Sequence, residues 1–110
     1  MDDQVSRVAP VIVELPAEID VTNSGQVYDR LAAALTPGVE SVIADMTSTS
    51  FCDSSGVRMI VRALESAAAR GVRLRLAVPP EGSVRRVLQL TGVGSLVAIY
   101  PSLEEAINAA

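Results

Sequence analysis

The 110-residue sequence predicts a single α/β domain over residues 1–110, with a four- to five-stranded, mostly parallel or mixed sheet and about four helices. Short runs of β-branched residues alternate with longer stretches in which apolar residues recur at helical spacing. Helices of roughly 10 to 17 residues between the strands imply right-handed crossovers and therefore parallel pairing. The length suits one hydrophobic core, and neither an internal repeat nor a linker divides the chain.

The N-terminal part begins with strand candidates and continues into a first helix. Residues 11–15 (VIVEL) form a β-branched run that ends at a proline, and residues 5–8 form a weaker candidate before it. The segment 17–24 is polar enough for a loop and rich in residues that cap helices. Apolar residues at helical spacing then predict a helix over residues 27–35, which a Pro-Gly pair ends.

The middle of the chain holds the clearest helical pattern. Residues 39–45 (VESVIAD) are typical of a strand, and this one ends in an aspartate. After a loop, apolar residues at i, i+3, i+4, i+7 and i+11 from Val57 predict an amphipathic helix over residues 57–68, with Gly71 as its C-cap. Residues 72–78 (VRLRLAV) alternate as a strand does, and they stop at two prolines.

The C-terminal part contains two further helices and a last strand. Residues 84–91 predict a short helix that ends at a glycine, and residues 96–99 predict a short strand. A terminal helix is expected over residues 102–110, because Ser102 and Glu105 match a capping box.

Charge and composition argue against several classes of protein. The net charge is −4 and aromatic residues make up 3% of the chain, whereas nucleic-acid binding usually needs a basic balance and aromatic platforms. No apolar stretch approaches the roughly 20 residues of a membrane span, and the acidic start lacks the basic region of a signal peptide. We therefore expect a cytoplasmic protein without direct nucleic-acid or membrane contacts.

The residue types that are missing remove most catalytic chemistry. The chain has no histidine and no lysine, so it can build neither a Ser-His-Asp triad nor a Walker A loop nor a Schiff base. The single cysteine, Cys52, can form neither an internal disulfide nor a thiolate cluster. The sequence therefore predicts no intrinsic enzyme activity, no metal site and no cofactor.

The segment SFCDSSGV, residues 50–57, has two interpretations. Asp53, Ser54 and Ser55 all rank among the best N-cap residues, although one cap would need only one of them. Alternatively, the helix N-terminus stabilises negative charge, which favours a phosphate of about −1.5 to −2 charges on Ser54. Gly56 is expected to leave room for the close approach of a partner or a phosphate. Both interpretations stay open on the residues alone.

Four segments together resemble a STAS domain of the anti-sigma factor antagonist type. They are ELPAEIDVTN, VIADMTSTSFCDSSGVRMIV, VRLRLAVPPEGSVRRVLQLTGV and YPSLEEAI, in the family's order and over nearly the whole chain. The resemblance implies that an anti-sigma factor with serine kinase activity phosphorylates Ser54, with Ser55 as the fallback, and that a phosphatase removes the phosphate. It also implies that the unphosphorylated form binds the anti-sigma factor and releases the sigma factor, and that phosphorylation switches this binding off.

The resemblance extends to residues around the loop. The segment AEID matches the family's G-E-I-D, so Asp20 is expected to orient the serine, to contact the partner, or to act as a turn aspartate. Asp45 is expected to hold the loop by accepting backbone N–H bonds. Where the family usually continues S-G-L-G, this chain has SGVR, and Arg58 is expected to pair with a phosphate on Ser54, to alter the docking surface, or to face solvent. The predicted partner-binding residues are Asp20, Asp53, Ser54, Ser55, Gly56 and Arg58.

Two alternatives to the switch remain from the sequence. A STAS scaffold, or the small subunit of a stress-signalling or lipid-transport assembly, would use the serines only as caps or contacts. A nucleotide-binding domain or an unrecognised enzyme is the third interpretation. Cys52 precedes a helix N-terminus, where the pKa of a thiol tends to fall, which would suit a redox role or an intermolecular disulfide. The favoured interpretation of Cys52 is a small buried apolar residue.

Overall fold

The computed structural model describes residues 8–109 as alternating strands and helices. The strands are β1 (Val11–Glu14), β2 (Glu18–Ile19), β3 (Ser41–Asp45), β4 (Phe51–Cys52), β5 (Arg73–Ala77) and β6 (Ala98–Tyr100). The helices are α1 (Ser24–Ala34), α2 (Ser54–Arg70), α3 (Ser83–Thr91) and α4 (Leu103–Asn108), with a 3-10 turn at Val93–Ser95. The predicted α/β class and the four helices are confirmed.

The main sheet has four strands in the order β1-β3-β5-β6, and every neighbouring pair is parallel. Each crossover between these strands contains a helix, as parallel pairing requires. Strands β2 and β4 form a separate parallel pair. The sheet is therefore parallel throughout the described residues.

The core lies on both faces of the main sheet, because successive side chains of a strand point to opposite faces. Val42 and Leu76 belong to the larger cluster, which also holds the buried side chains of α1, α2 and α3. Ile43 and Ala77 belong to a smaller cluster with Ala106 of α4. Three helices thus cover one face and α4 covers the other.

Helix α2 carries the loop of interest at its N-terminus and is well terminated at both ends. Its buried face includes Val57 and Ile60, as the apolar pattern predicted, but Ala63 and Ala67 are buried whereas Ala68, which was expected on this face, is exposed. Gly71 has a φ of 70°, a left-handed conformation that glycine adopts without strain, and it donates to the carbonyl groups that end the helix. The predicted C-cap is confirmed.

The structure departs from the predicted elements in three places. Strands β2 and β4 lie in segments expected to be loops, since two residues are too few to show a periodic pattern. The predicted strand over residues 5–8 lies outside the described residues, except for Val8, which is not in a strand. The strand expected over residues 96–99 begins later, because the 3-10 turn occupies the chain after α3.

No helix within residues 8–109 is long and apolar enough to cross a membrane. Those same residues also contain no cluster of three or more His, Cys, Asp or Glu side chains that could hold a metal ion.

Candidate functional site

The pairing of β2 with β4 brings two loops together beside the start of α2. Ile19 and Cys52 are partners in this pair, and the backbone N–H of Asp53 donates to the Ile19 carbonyl at 3.2 Å. The N–H of Ser50 likewise donates to the carbonyl of Ala17 at 2.8 Å. As a result, the loop that follows Ile19 runs alongside the N-terminus of α2.

Asp53 is the N-cap of α2 and accepts three hydrogen bonds at one carboxylate oxygen. The donors are the backbone N–H groups of Ser55 (2.9 Å) and Gly56 (3.2 Å) and the hydroxyl of Ser55. The pKa of Asp53 is lowered by the Ser55 hydroxyl, by the two N–H groups and by the positive charge of Arg58. Together these effects outweigh desolvation, which acts in the opposite direction. Asp53 is therefore an ionised anchor of the helix N-terminus.

The two serines of the loop have different surroundings. The Ser55 side chain is buried, 9% exposed, and its hydroxyl bonds to Asp53. Ser54 is the first residue of α2 and is exposed, and no residue in the described range 8–109 hydrogen-bonds to its hydroxyl. Helix capping thus accounts for Asp53 and Ser55 but leaves the Ser54 hydroxyl available to solvent.

Gly56 has an internal role that differs from the expectation. A Cβ atom at this position would meet the Cys52 Sγ at 2.5 Å and the Ile19 Cγ2 at 3.0 Å. The space beside Gly56 is therefore filled by the β2–β4 pair, and the residue is buried. The prediction that Gly56 leaves room for a partner or a phosphate was wrong, because helix packing uses that room.

Cys52 is a buried thiol, 3% exposed, in the larger core cluster. Burial, and secondly the negative charge of Asp53, raise the pKa of Cys52 to about 11. The tendency of a thiol pKa to fall near a helix N-terminus is thus overcome by desolvation. The interpretation of Cys52 as a small apolar core residue fits this environment.

Native Cys52 is expected to react with iodoacetamide at pH 8 more than about a hundredfold more slowly than an exposed thiol, because only the thiolate reacts. The rate should rise about tenfold for each pH unit until the pH nears this raised pKa. Mass spectrometry of timed samples measures the rate, and the protein unfolded in guanidinium is the control. Equal rates for the folded and unfolded protein would contradict this environment.

Asp20 acts as a turn aspartate at the start of α1. Its carboxylate accepts hydrogen bonds from the backbone N–H and the hydroxyl of Thr22, and its own N–H donates to the Asn23 side chain. None of these bonds involves Ser54, so the structure does not support the expectation that Asp20 orients that serine. Contact with a partner stays a prediction for Asp20.

Asp45 fixes the segment between β3 and β4. Its carboxylate accepts from the backbone N–H of Thr47 at 3.0 Å and from the Thr47 hydroxyl at 2.6 Å. The hydroxyl of Thr49 donates to the carbonyl of Pro16 at 2.8 Å, which ties this segment to the loop before β2. The expectation that Asp45 holds the loop through backbone N–H bonding is confirmed.

An open groove lies between α1 and α2, and Ser55 of the loop is among its lining residues. It encloses about 360 Å³, and Arg58 and Arg62 of α2 line it together with Tyr28 of α1. The Arg62 guanidinium lies 4.0 Å from the centre of the Tyr28 ring, a cation–π contact, and the Tyr28 hydroxyl bonds to Ser66 at 2.7 Å. The sequence did not predict this groove, because Tyr28 lies far from α2 along the chain.

A family model described as the STAS domain matches residues 2–106. The chain belongs to the STAS domain family. This STAS domain is 29% identical over 101 residues to the anti-sigma-F factor antagonist RsfA of Mycobacterium tuberculosis H37Rv, covering 90% of this chain and 78% of that protein. It is 33% identical over 88 residues to an anti-sigma F factor antagonist of Lysinibacillus sphaericus, covering 76% of this chain and 72% of that one.

Solved structures agree with this assignment. The STAS domain superimposes on the unphosphorylated anti-sigma factor antagonist SpoIIAA with a TM-score of 0.72 and 27% identity, covering 92% of this chain and 88% of that one. For the phosphorylated form of the Bacillus cell fate determinant SpoIIAA the TM-score is 0.65 at 28% identity, with coverages of 94% and 92%. The predicted resemblance is therefore confirmed at the level of the family and the fold.

Replacing Asp53 with alanine in the STAS domain is expected to lower the midpoint of thermal unfolding by several degrees at pH 7, since α2 loses its cap. Folding lowers the pKa of Asp53, so its stabilising effect is present above the unfolded-state pKa of about 3.9 and is lost as the pH falls through the lowered value. The difference in unfolding midpoint between Asp53→Ala and wild type should therefore shrink in acid. Asp29→Ala, on the exposed part of α1, is the control, and an equal effect of both variants would contradict the capping role.

Proposed function

We propose that this STAS domain is an anti-sigma factor antagonist, and that phosphorylation of Ser54 switches its binding to the anti-sigma factor off. The observation that carries the proposal is the contrast between the exposed, unbonded hydroxyl of Ser54 and the buried, bonded hydroxyl of Ser55. The names of the similar proteins and the two forms of SpoIIAA support the role and the modification. In this proposal the protein works with its partners in the cytoplasm.

The switch follows from the charge that a phosphate adds. In the kinase, the Ser54 Oγ attacks the γ-phosphorus of ATP, the bond to ADP breaks, and the hydroxyl proton passes to a base of the kinase. The product carries about −1.5 to −2 charges on a residue that was neutral. Burying this dianion at the interface is costly, so the anti-sigma factor dissociates and recaptures the sigma factor. A phosphatase that removes the phosphate resets the protein.

A sigma-release assay tests the proposed function. The purified protein is added to each anti-sigma factor–sigma complex encoded in the same genome, and released sigma factor is measured by fluorescence anisotropy. We expect release with ADP, loss of release after incubation with ATP, and persistent release by Ser54→Ala in ATP. Ser48→Ala, an exposed hydroxyl in the loop before β4, should behave as wild type. If the unphosphorylated protein binds no anti-sigma factor, the proposed function is wrong and a scaffold role is favoured.

A further inference from the structure

The groove between α1 and α2 is a formed surface next to the proposed switch. We call it the arginine groove; it encloses about 360 Å³. Its main lining residues are Val21, Ser24, Tyr28, Arg58, Met59 and Arg62. Val21 is 76% exposed at its rim, although it is a large apolar side chain. The groove therefore combines cationic and apolar contacts on one open face.

The charge of the arginine groove is opposite to that of the whole chain. The chain carries 13 acidic residues against nine arginines, yet the described residues that line the groove include two arginines and no carboxylate. Asp20 and Asp53 adjoin the groove along the chain, and both carboxylates are hydrogen-bonded locally: Asp20 accepts from Thr22, and Asp53 accepts from Ser55 and Gly56. This local positive charge selects for a negatively charged occupant.

The two arginines keep their hydrogen-bond donors available. In the described part of the chain, the arginine side chains that donate hydrogen bonds are Arg30, Arg70, Arg75 and Arg85. Arg62 is held in place by its contact with the Tyr28 ring, which leaves the N–H groups at the edge of the guanidinium unused. A guanidinium arranged in this way binds a carboxylate with two parallel hydrogen bonds.

We propose that the arginine groove binds an acidic segment of the anti-sigma factor, with a carboxylate on Arg62 and Arg58 and an apolar side chain against Val21 and Met59. This inference rests on the proposed function. It names the chemistry by which the unphosphorylated protein recognises its partner: carboxylate and apolar groups side by side in one segment.

The groove also explains how a phosphate on Ser54 acts on the partner. Ser54, Arg58 and Arg62 follow one another at intervals of four residues on one side of α2. Side chains of a helix lean towards its N-terminus, and the positive charge of Arg58 already acts on Asp53, so Arg58 is positioned to pair with a phosphate on Ser54. A phosphate there takes Arg58 as its counter-ion and leaves the acidic segment with Arg62 alone.

Charge reversal tests this inference. Calorimetry at two salt concentrations measures the affinity of the purified anti-sigma factor for four unphosphorylated proteins. They are the wild type, the groove variants Arg58→Glu and Arg62→Glu, and the control Arg73→Glu. Arg73 is exposed at the amino end of β5, outside the groove. We expect Arg62→Glu and Arg58→Glu to weaken binding at least about 30-fold, and Arg73→Glu to weaken it less than about twofold. Thermal unfolding of each variant shows that it is folded.

The outcomes separate the two proposals. If wild type binds and the groove variants bind equally well, or weaken no more than Arg73→Glu does, the groove proposal is wrong while the proposed function stands. If wild type binds no anti-sigma factor, the proposed function fails and the inference with it. In a further experiment, the protein is titrated with ATP alone. If ATP binds saturably to wild type and not to Arg62→Glu, the groove is a nucleotide site and the acidic-segment proposal is wrong.

Discussion

Phosphoserine installed at position 54 is expected to weaken binding of the anti-sigma factor by at least about a hundredfold. The phosphate lies on an exposed residue in the first turn of α2, next to the Asp53 carboxylate, which its hydrogen bonds hold in place. The new dianion also takes up the Arg58 guanidinium, which otherwise contributes to the arginine groove. Both effects act at the partner surface and neither requires a change of fold.

This expectation is measured by calorimetry on protein made with genetically encoded phosphoserine. Phosphoserine at position 48, on the exposed loop before β4, is the matched control and should change the affinity only a few-fold. Combining phosphoserine 54 with Arg58→Ala separates the contributions of the phosphate and of the arginine. Equal affinities of the protein with and without phosphate on Ser54 would contradict the switch.

Replacing Gly56 with alanine is expected to lower the free energy of unfolding by about 1 to 3 kcal/mol, which is the usual effect of overpacking a core. The added Cβ would meet the Cys52 Sγ at 2.5 Å and the Ile19 Cγ2 at 3.0 Å, and both of these side chains are buried in the core. Because this contact lies beneath Asp53 and Ser54, we also expect the variant to bind its partner more weakly.

Urea unfolding of a matched pair measures this effect. Gly25 also lies in a helix, but a Cβ there meets nothing within 4 Å, so Gly25→Ala should be neutral or more stable by up to about 1 kcal/mol. The double variant Cys52→Ala/Gly56→Ala, which removes the sulfur, should recover part of the loss caused by Gly56→Ala. Equal stability of Gly56→Ala and Gly25→Ala would contradict the packing described for this loop.

The sequence predicted the long elements and the chemistry of the loop, because each depends on local pattern. The apolar spacing from Val57 located α2, and the β-branched and alternating runs located the strands of the main sheet. Asp53, Ser54 and Ser55 were recognised as residues that suit a helix N-terminus. Their different roles as cap, exposed hydroxyl and bonded hydroxyl appear only when their hydrogen bonds are known.

The features that the sequence did not predict depend on contacts between distant parts of the chain. The β2–β4 pair joins residues about 33 positions apart and is too short for a pattern. That pair determines why position 56 is glycine and why the pKa of Cys52 rises instead of falling. The arginine groove likewise needs Tyr28 of α1 to meet Arg62 of α2.

The most direct test of the central claim is the site at which the anti-sigma factor phosphorylates this protein. Wild type, Ser54→Ala and Ser55→Ala are incubated with the purified anti-sigma factor and ATP, and the products are analysed by intact mass and fragment mapping. We predict one phosphate on wild type and on Ser55→Ala, mapped to Ser54 in both, and none on Ser54→Ala. A phosphate that persists on Ser54→Ala, or its absence from wild type that binds the anti-sigma factor, would contradict the account.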